Sequence, residues 1–422
     1  MTEQRAAVRP TPVPLSRNRN YQILWGSQAL SLFGINATFI AFPLLVLALS
    51  GSPAASGLVL GVSAAAELVA GVPAGALADR WDRKRIMLVS EAIQVVTTAG
   101  LVAALWWHLA TVPTLLTAAI VLGACESVFR PAETACLPNL VPTEQVSGAV
   151  AGNAARAYLG NLSGTAAGGF LFAVGRAVPF VANLLAHAGS FVALLFLKLP
   201  QRPVQPAVPI RRLGAEMAEG LRFLWRHRHI RVTALCAVVL NLFFSAFYIV
   251  VIVLARTRGL PSGEIGIMAA MLGVGGIVGA FAAPHLTRVL SPYQSIISVF
   301  WTLTVLTPLA VFIHNGYLMG LLFAAMALLP PSANTAIISE QLLRTPDELR
   351  GRLSGVLGVL AGVAAALGPP LGGALTQAVS GTTAVLLCCA GIAVVTVLVT
   401  ASPTLRHFPA PESPTEKGTP DG

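Results

Sequence analysis

Four charged residues, Glu67, Glu126, Arg130 and Arg156, stand inside stretches that are otherwise apolar. A charge held within hydrocarbon is costly, so such residues usually form ion pairs, carry protons or line ion pathways. A low-dielectric site also favours the neutral form of a carboxyl group, which suits it to gain and lose a proton. These residue types and positions therefore indicate ion pairing or proton transfer.

Two arrangements of these charges are open. Glu67 precedes Gly75 by eight residues, which places it about 12 Å further from the inner end of span 2 and near the middle of the membrane. Arg156 lies at a similar depth. Glu67 is therefore either a proton carrier or one half of a permanent ion pair with Arg156. Glu126 and Arg130 are four residues apart on one helix face and form a second predicted pair. Glu91, near the inner end of its span, is predicted to be structural.

The composition predicts that membrane-spanning helices hold these charges. The chain has 422 residues, of which 55% are hydrophobic and 10% charged, whereas soluble domains carry about 25% charged residues. We predict an all-α membrane protein with 12 transmembrane helices, each able to cross about 30 Å of hydrocarbon. The predicted spans are residues 22–49, 54–77, 87–107, 111–131, 147–172, 177–197, 231–255, 264–286, 293–313, 315–342, 351–377 and 382–400.

The distribution of basic residues predicts the topology. Of the 27 Lys and Arg residues, 22 fall on the side that holds both termini, and the positive-inside rule makes that side the cytoplasm. The net charge of +10 is thereby a topology signal, and nothing in it indicates nucleic-acid binding. The predicted regions are a cytoplasmic tail (1–20), a six-helix bundle (21–197), a cytoplasmic linker (198–230), a second six-helix bundle (231–402) and a cytoplasmic tail (403–422).

The linker and tails differ in composition from the bundles. Proline makes the start of the linker extended, and a basic amphipathic helix follows. This helix either lies on the membrane with Leu221, Phe223, Leu224 and Trp225 toward lipid, or is a solvated connector. The Pro- and Thr-rich tails are predicted to be disordered.

The chain matches itself at a shift of 204 residues. Gly71 and Gly75 recur as Gly275 and Gly279, "PTEQVSG" recurs as "PDELRGR", and "GTAAGG" recurs as "GPPLGG". The chain is therefore predicted to be a duplicated six-helix unit with both copies in one orientation. Parallel repeats of this kind occur in transporters that rock two halves about a central site.

The stretch "GALADRWDRKR" resembles the loop 2–3 signature of the major facilitator superfamily, G-x-L-A-D-R-x-G-R-K-x, with Asp82 in the glycine position. "FRPAETACLPNLVP" and "TPDELRGRLSG" resemble the branch that contains enterobactin exporters and macrolide efflux pumps. The resemblance implies alternating access driven by an ion gradient. No cofactor is expected, and the sequence contains no ATP-binding P-loop motif and no metal-ligand spacing.

The resemblance also implies a latch between the two halves. Asp79, at the inner end of span 2, is expected to face the N-terminus of span 11 near Gly351, where the helix dipole favours a carboxylate. Arg83, one turn further on, is expected to pair with Asp79 and with Glu133. The remaining predicted latch residues are Gly75, Arg80 and Lys84.

In this superfamily spans 1, 4, 7 and 10 line the substrate cavity, so polar and aromatic residues on them are candidates for substrate contact. Taken alone, each of them is more often a helix-packing residue. Asn36 and Asn241 fall at nearly repeat-related positions. The candidates are Gln28, Ser31, Asn36, Phe39, Asn241, Phe244, Ser245, Tyr248 and Asn334.

Span 5 resembles the antiporter signature G-x-x-x-G-P-x-x-G-G, with Thr165 in the proline position. Small residues at these places let helices approach closely. The predicted packing residues are Gly160, Gly164, Gly168 and Gly169 and, in the second copy, Gly368, Pro369, Gly372 and Gly373.

These features together predict a proton-coupled exporter of an amphiphilic small molecule, either a macrolide-like drug or a siderophore. Its expected partners are the substrate, protons and the lipid bilayer, and it is expected to be a monomer in the bacterial inner membrane. The alternatives are an importer of the same fold and a membrane sensor that transports nothing. An enzyme is not expected, because no nucleophile or metal-ligand cluster converges.

Overall fold

The computed structural model describes residues 14–199 and 210–406, which form α-helices and short 3-10 turns without any β-strand. The helices are α1 (Arg19–Ser50), α2 (Pro53–Arg80), α3 (Arg83–Trp106), α4 (Val112–Leu140), α5 (Val146–Val174), α6 (Val178–Leu195), α7 (Ile210–Arg226), α8 (Arg228–Thr257), α9 (Ser262–Val289), α10 (Pro292–Leu306), α11 (Gly316–Ala327), α12 (Pro330–Arg344), α13 (Asp347–Ala378), α14 (Gly381–Ala401) and α15 (Pro403–Arg406).

The chain is a multi-pass membrane protein of twelve spans. In the described residues, eleven helical segments are long and apolar enough to cross a membrane. The predicted fifth span, α5, is not among the eleven, although its 29 residues are long enough to cross. Its many glycines and Arg156 lower its mean hydropathy, while its packing against α1 places it in the bundle.

The tenth predicted span is broken into α11 and α12. The break falls just before Pro330 and Pro331, which lack the N–H groups that a continuous helix needs. The ninth span ends in a similar way, because α10 stops at Leu306 and a 3-10 turn over Thr307–Val311 completes it.

The tails are predicted to be disordered, and this prediction is wrong for the parts of them that the structure describes. Leu15–Arg17 forms a 3-10 turn and Pro403–Arg406 forms α15. The rest of both tails, and the proline-rich segment over residues 200–209, lie outside the described residues.

The chain divides into two compact units. The first holds the residues up to Ile210 together with Gly259–Ala270, and the second holds Arg211–Arg258 and the residues from Met271 onward. In the first unit α1 packs against α2, α5 and α6, while α4 packs against α2 and α3. Glycines on α5 allow its close approach to α1, because a Cβ at Gly164 would meet the Phe33 carbonyl and one at Gly168 would meet the Ala37 carbonyl.

The second unit repeats this pairing, with α8 packed against α13. Gly368 on α13 faces Leu242 and Ser245, and Gly372 faces Ala246, as Gly164 and Gly168 face Phe33, Asn36 and Ala37 in the first unit. The structural counterpart of Asn36 is therefore Ser245. The predicted equivalence of Asn36 with Asn241 is wrong. Equivalent positions on α1 and α8 are separated by five residues more than equivalent positions on α5 and α13.

The amphipathic linker helix, α7, packs within the second unit. Leu224 is buried in a cluster with Ile230, Leu353 and Val356. The guanidinium of Arg352 on α13 also binds the carboxylate of Glu219 on α7, with 2.5 Å between Nη1 and Oε2. The lipid-facing prediction is thus wrong for Leu224, whose apolar surface is covered by α8 and α13.

Candidate functional site

A cavity of about 150 Å³ lies within the first unit, between α1, α2, α3, α4 and α6. A close approach of α2 to α4 shapes one wall, because a Cβ at Gly123 would meet the backbone of Ser63. Most of the lining is apolar and includes Ile35, Phe39, Phe42, Val59, Leu60 and Leu122. The polar side chains that line it are Thr38, Ser63, Glu67, Gln94, Glu126, Asn183 and His187.

Glu67 forms an ion pair with Arg130 rather than with Arg156. Its Oε1 lies 3.7 Å from Nη1 of Arg130, and the two side chains are 47% and 67% exposed. The predicted Glu67–Arg156 pair is wrong because α2 packs along α4, which sets Glu67 beside the cation on that helix.

Glu126 lines the same cavity one helical turn before Arg130. Among the described residues the ion-pair partner of Arg130 within 4 Å is Glu67, so the predicted Glu126–Arg130 pair does not form as a direct contact. Glu126 still lies within electrostatic range of Arg130, Glu67, Glu91 and Glu133. The cavity wall therefore carries two neighbouring carboxylates, Glu67 and Glu126.

Arg156 on α5 pairs with Glu133 on α4, and both side chains are buried. Glu133 was predicted to bind Arg83, and that prediction is wrong because Arg156 occupies the carboxylate. Arg83 instead donates to the carbonyl oxygens of Ala135, at 2.5 Å, and Ala78, at 3.5 Å.

Two other charged residues of the "DRWDRKR" stretch, Asp82 and Lys84, bind at helix ends. Asp82 is the N-cap of α3 and accepts a hydrogen bond of 2.8 Å from the Arg85 backbone, which explains an aspartate in the signature's glycine position. Nζ of Lys84 donates to the carbonyl oxygens of Leu195 and Leu197 at the end of α6. Arg80 is the last residue of α2.

Asp79 lies in the last turn of α2, and its side chain is outside the described part of the structure. Gly75 and Gly351 are exposed, and no described atom lies within 4 Å of a Cβ placed on either. The latch between the two halves stays a prediction.

A buried polar network surrounds Glu91, which lies on α3. Ser31 on α1 and Ser190 on α6 donate to Oε1 at 2.6 and 2.8 Å, and Nδ1 of His187 lies 2.7 Å from Oε2. Glu91 and His187 are both 0% exposed. Sequence reasoning did not single out His187 or Ser190. The available signal was a histidine and a serine three residues apart on an apolar span.

Of the four predicted substrate-contact residues on α1, one lines the cavity. Phe39 lines it, whereas Ser31 binds Glu91 and Asn36 donates to the Leu32 carbonyl of its own helix. Gln28 is buried, and its Nε2 has no hydrogen-bond partner among the described residues. Their contact with substrate stays a prediction.

The predicted substrate-contact residues of the second unit lie on α8 and α12. Tyr248 stacks on Phe323 with ring centroids 6.0 Å apart, Phe244 is half-buried, and Ser245 packs against Gly368. Asn241 and Asn334 are exposed, and Asn241 donates to the Ala237 carbonyl. The contact of these residues with substrate stays a prediction.

The signature glycines pack helices together. Gly160 approaches Leu32, and Gly169 approaches the backbone of Ser262 and Gly266, which belong to the first unit. Thr165 is buried, as are Pro369 and Gly373 in the second copy. Their arrangement fits tight helix contacts.

Comparisons with known proteins agree with this architecture. A major facilitator family model described as "Transmembrane secretion effector" matches residues 11–418. The multidrug efflux pump Tap of Mycolicibacterium fortuitum is 27% identical over 359 residues, covering 82% of this chain and 86% of its own length. The enterobactin exporter EntS of Salmonella typhimurium is 25% identical over 347 residues, covering 80% of each chain.

Solved structures show the same fold at low sequence identity. The nucleoside transporter NupG superposes with a TM-score of 0.73 at 12% identity, covering 93% of this chain and all of its own. A bacterial homologue of the human lysosomal transporter Spinster superposes with a TM-score of 0.68 at 16% identity, covering 92% and 94%. With twelve spans in two similar halves and a family match over nearly its whole length, the chain belongs to the transmembrane secretion effector family of major facilitator transporters.

Proposed function

We propose that this transporter is a proton-coupled exporter of amphiphilic small molecules that works by alternating access. The observation that carries the proposal is the first-unit cavity, which combines aromatic and aliphatic walls with the carboxylates Glu67 and Glu126. Small-molecule sites are mostly apolar with a few polar groups that orient the ligand, and the lining of this cavity has that character. Relatives described as a multidrug efflux pump and an enterobactin exporter support export as the direction.

The charge of the cavity favours one of the two candidate cargoes. Carboxylates in an apolar site attract a cation and repel an anion, and their interactions strengthen away from water. Glu67 is partly neutralised by Arg130, while Glu126 has no ion pair within 4 Å among the described residues. A cationic, drug-like amphiphile therefore suits the cavity better than an anionic siderophore.

The proposed working unit is a monomer in the bacterial plasma membrane, with both termini in the cytoplasm. Two six-helix bundles, over residues 21–197 and 231–402, would move against each other about the linker over 198–230. Asp79, with Arg80, would hold the inner ends of α2 and α13 together when the substrate site faces outward. The gradient supplies the energy, so no cofactor is invoked.

The proposal is tested in inverted membrane vesicles from cells that express the chain. Respiration acidifies the lumen of such vesicles, and ethidium should accumulate inside faster than in vesicles without the chain. A proton uncoupler should abolish the difference. Accumulation that survives the uncoupler would contradict proton coupling, and accumulation only with the opposite gradient would indicate an importer.

A further inference from the structure

Three buried side chains that line the first-unit cavity have a polar atom with no hydrogen-bond partner among the described residues. These atoms are Gln94 Oε1, Asn183 Oδ1 and His187 Nε2. An unpaired buried polar group costs about 1–3 kcal/mol, so each such atom calls for a reason. A ligand, a water molecule or a proton in the cavity would supply one.

His187 is the titratable member of the three. Its Nδ1 lies 2.7 Å from Oε2 of Glu91, and with Glu91 ionised this bond is donated by a proton on Nδ1. The serines Ser31 and Ser190 occupy the other carboxylate oxygen. With these bonds fixing both groups, Nε2 is the ring atom of this cavity-lining residue that has no hydrogen-bond partner among the described residues.

The charge of this pair depends on one proton. With Glu91 ionised and His187 neutral, the pair carries one negative charge with both side chains 0% exposed. In the described residues no Lys or Arg forms an ion pair with Glu91. A proton on Nε2 makes the pair neutral overall, and burying a paired charge costs far less than burying an unpaired one.

The titratable groups packed around the pair are acidic. Helix α4 brings Cys125 and Glu126, both within electrostatic range of Glu91. Helix α2 brings Glu67 with its partner Arg130, while α1 and α6 contribute the uncharged hydroxyls of Ser31 and Ser190. Neighbouring negative charge favours the proton-loaded pair, and a cationic substrate in the cavity opposes it.

We infer that the Glu91–His187 pair carries the coupled proton of this transporter. The assignment rests on the proposed function, since a proton carrier is required only if transport is proton-coupled. A proton from the outer solution adds to the Nε2 lone pair and forms an imidazolium paired with Glu91. When a cationic substrate enters from the cytoplasm, the N–H bond breaks and the proton leaves to the cytoplasm. Proton and substrate thus exclude each other, as antiport demands.

The test compares three proteins in proteoliposomes: the wild type, Glu91→Gln and the control Glu144→Gln, whose residue lies in the 3-10 turn over Thr143–Gln145 and does not line the cavity. Ethidium uptake is measured with a pH gradient and as exchange of labelled for unlabelled ethidium without one. Glu91→Gln, which removes the negative charge that stabilises the imidazolium of His187, should lose at least tenfold in driven uptake while exchange continues. Glu144→Gln should retain driven uptake. Full driven uptake by Glu91→Gln overturns the inference, whereas a wild type with no driven uptake overturns the proposed function instead.

A second measurement covers the case in which Glu91→Gln does not fold. The chain has seven histidines, so a variant with the other six replaced gives His187 as its one imidazole in nitrogen NMR. Its nitrogen resonances should show Nε2 both protonated and unprotonated across the pH range in which the protein transports ethidium. A single neutral tautomer throughout that range overturns the inference. The six replaced residues are His108, His227, His229, His285, His314 and His407.

Discussion

Arg156 on α5 and Glu133 on α4 form a buried ion pair, with Nη2 of the arginine 2.5 Å from Oε1 of the glutamate. Their side chains are 6% and 9% exposed. Nε and Nη1 of Arg156 have no hydrogen-bond partner among the described residues, so Glu133 is the group that compensates this buried cation. The pair therefore joins α4 to α5 through two buried side chains of opposite charge.

Replacing Glu133 with Gln should destabilise the protein strongly. Removing one member of a buried pair leaves an uncompensated charge, which costs about 3–5 kcal/mol. Thermal unfolding in detergent micelles measures the loss. Glu67→Gln is the matched control, because its exposed pair with Arg130 is worth at most about 1 kcal/mol. Equal losses for the two variants would show that the Arg156–Glu133 pair is not buried.

The double variant Arg156→Met with Glu133→Leu should recover much of that stability. Replacing both charges with apolar side chains of similar size removes the desolvation cost together with the attraction. The double variant should therefore unfold at a higher temperature than Glu133→Gln alone. If the two changes add instead, the residues do not interact.

Gly168→Ala should destabilise the first unit, because its Cβ would overlap the Ala37 carbonyl and the Ile40 side chain. Overpacking of this kind costs about 1–3 kcal/mol. Gly100→Ala is the control, since no described atom lies within 4 Å of its added Cβ. It should be neutral or stabilise the helix by up to about 1 kcal/mol. A drop in unfolding temperature for both variants would contradict the close contact of α5 with α1.

Two aspartates three residues apart should respond differently to substitution. Asp82→Ala removes the N-cap of α3 and should cost about 1 kcal/mol of stability without slowing the turnover of folded protein. Asp79→Asn should leave stability unchanged but slow turnover on the order of tenfold, since it weakens the proposed latch by about 1.4 kcal/mol. Unfolding temperature and ethidium flux are measured for both. Wild-type flux with Asp79→Asn would remove the latch.

Glu126→Gln should weaken the binding of a cationic amphiphile while leaving a neutral one of similar shape unaffected. A hydrogen bond to a charged group contributes about 1.5–3 kcal/mol, so ethidium affinity should fall roughly tenfold or more. Glu144, in the 3-10 turn over Thr143–Gln145 and away from the cavity, provides the control Glu144→Gln. An equal loss of affinity in both variants would mean that Glu126 does not contact the ligand.

The spans and the duplicated halves could be predicted from sequence because apolar length and glycine spacing are local properties. Gly164 and Gly168 lie against α1 as small residues at such spacing suggest. The break before Pro330 was not predicted, and proline alone does not predict it, because α13 continues through Pro369 and Pro370.

The ion pairs could not be predicted, because depth in the membrane does not give the direction in which a side chain points. Glu67 and Arg156 share a depth, but helix rotation and the packing of α2 on α4 pair Glu67 with Arg130. The Glu91–His187 contact joins residues 96 positions apart on α3 and α6. Such a contact follows from tertiary packing and leaves no spacing signal in the chain.

Proton movement during transport by the wild-type protein tests proton-coupled export most directly. Proteoliposomes that hold a pH-sensitive dye are mixed with ethidium, and lumen pH and ethidium uptake are followed together. The lumen should become more alkaline as ethidium enters, because each entering substrate is exchanged for protons that leave. Ethidium uptake with no change in lumen pH would contradict the proposal.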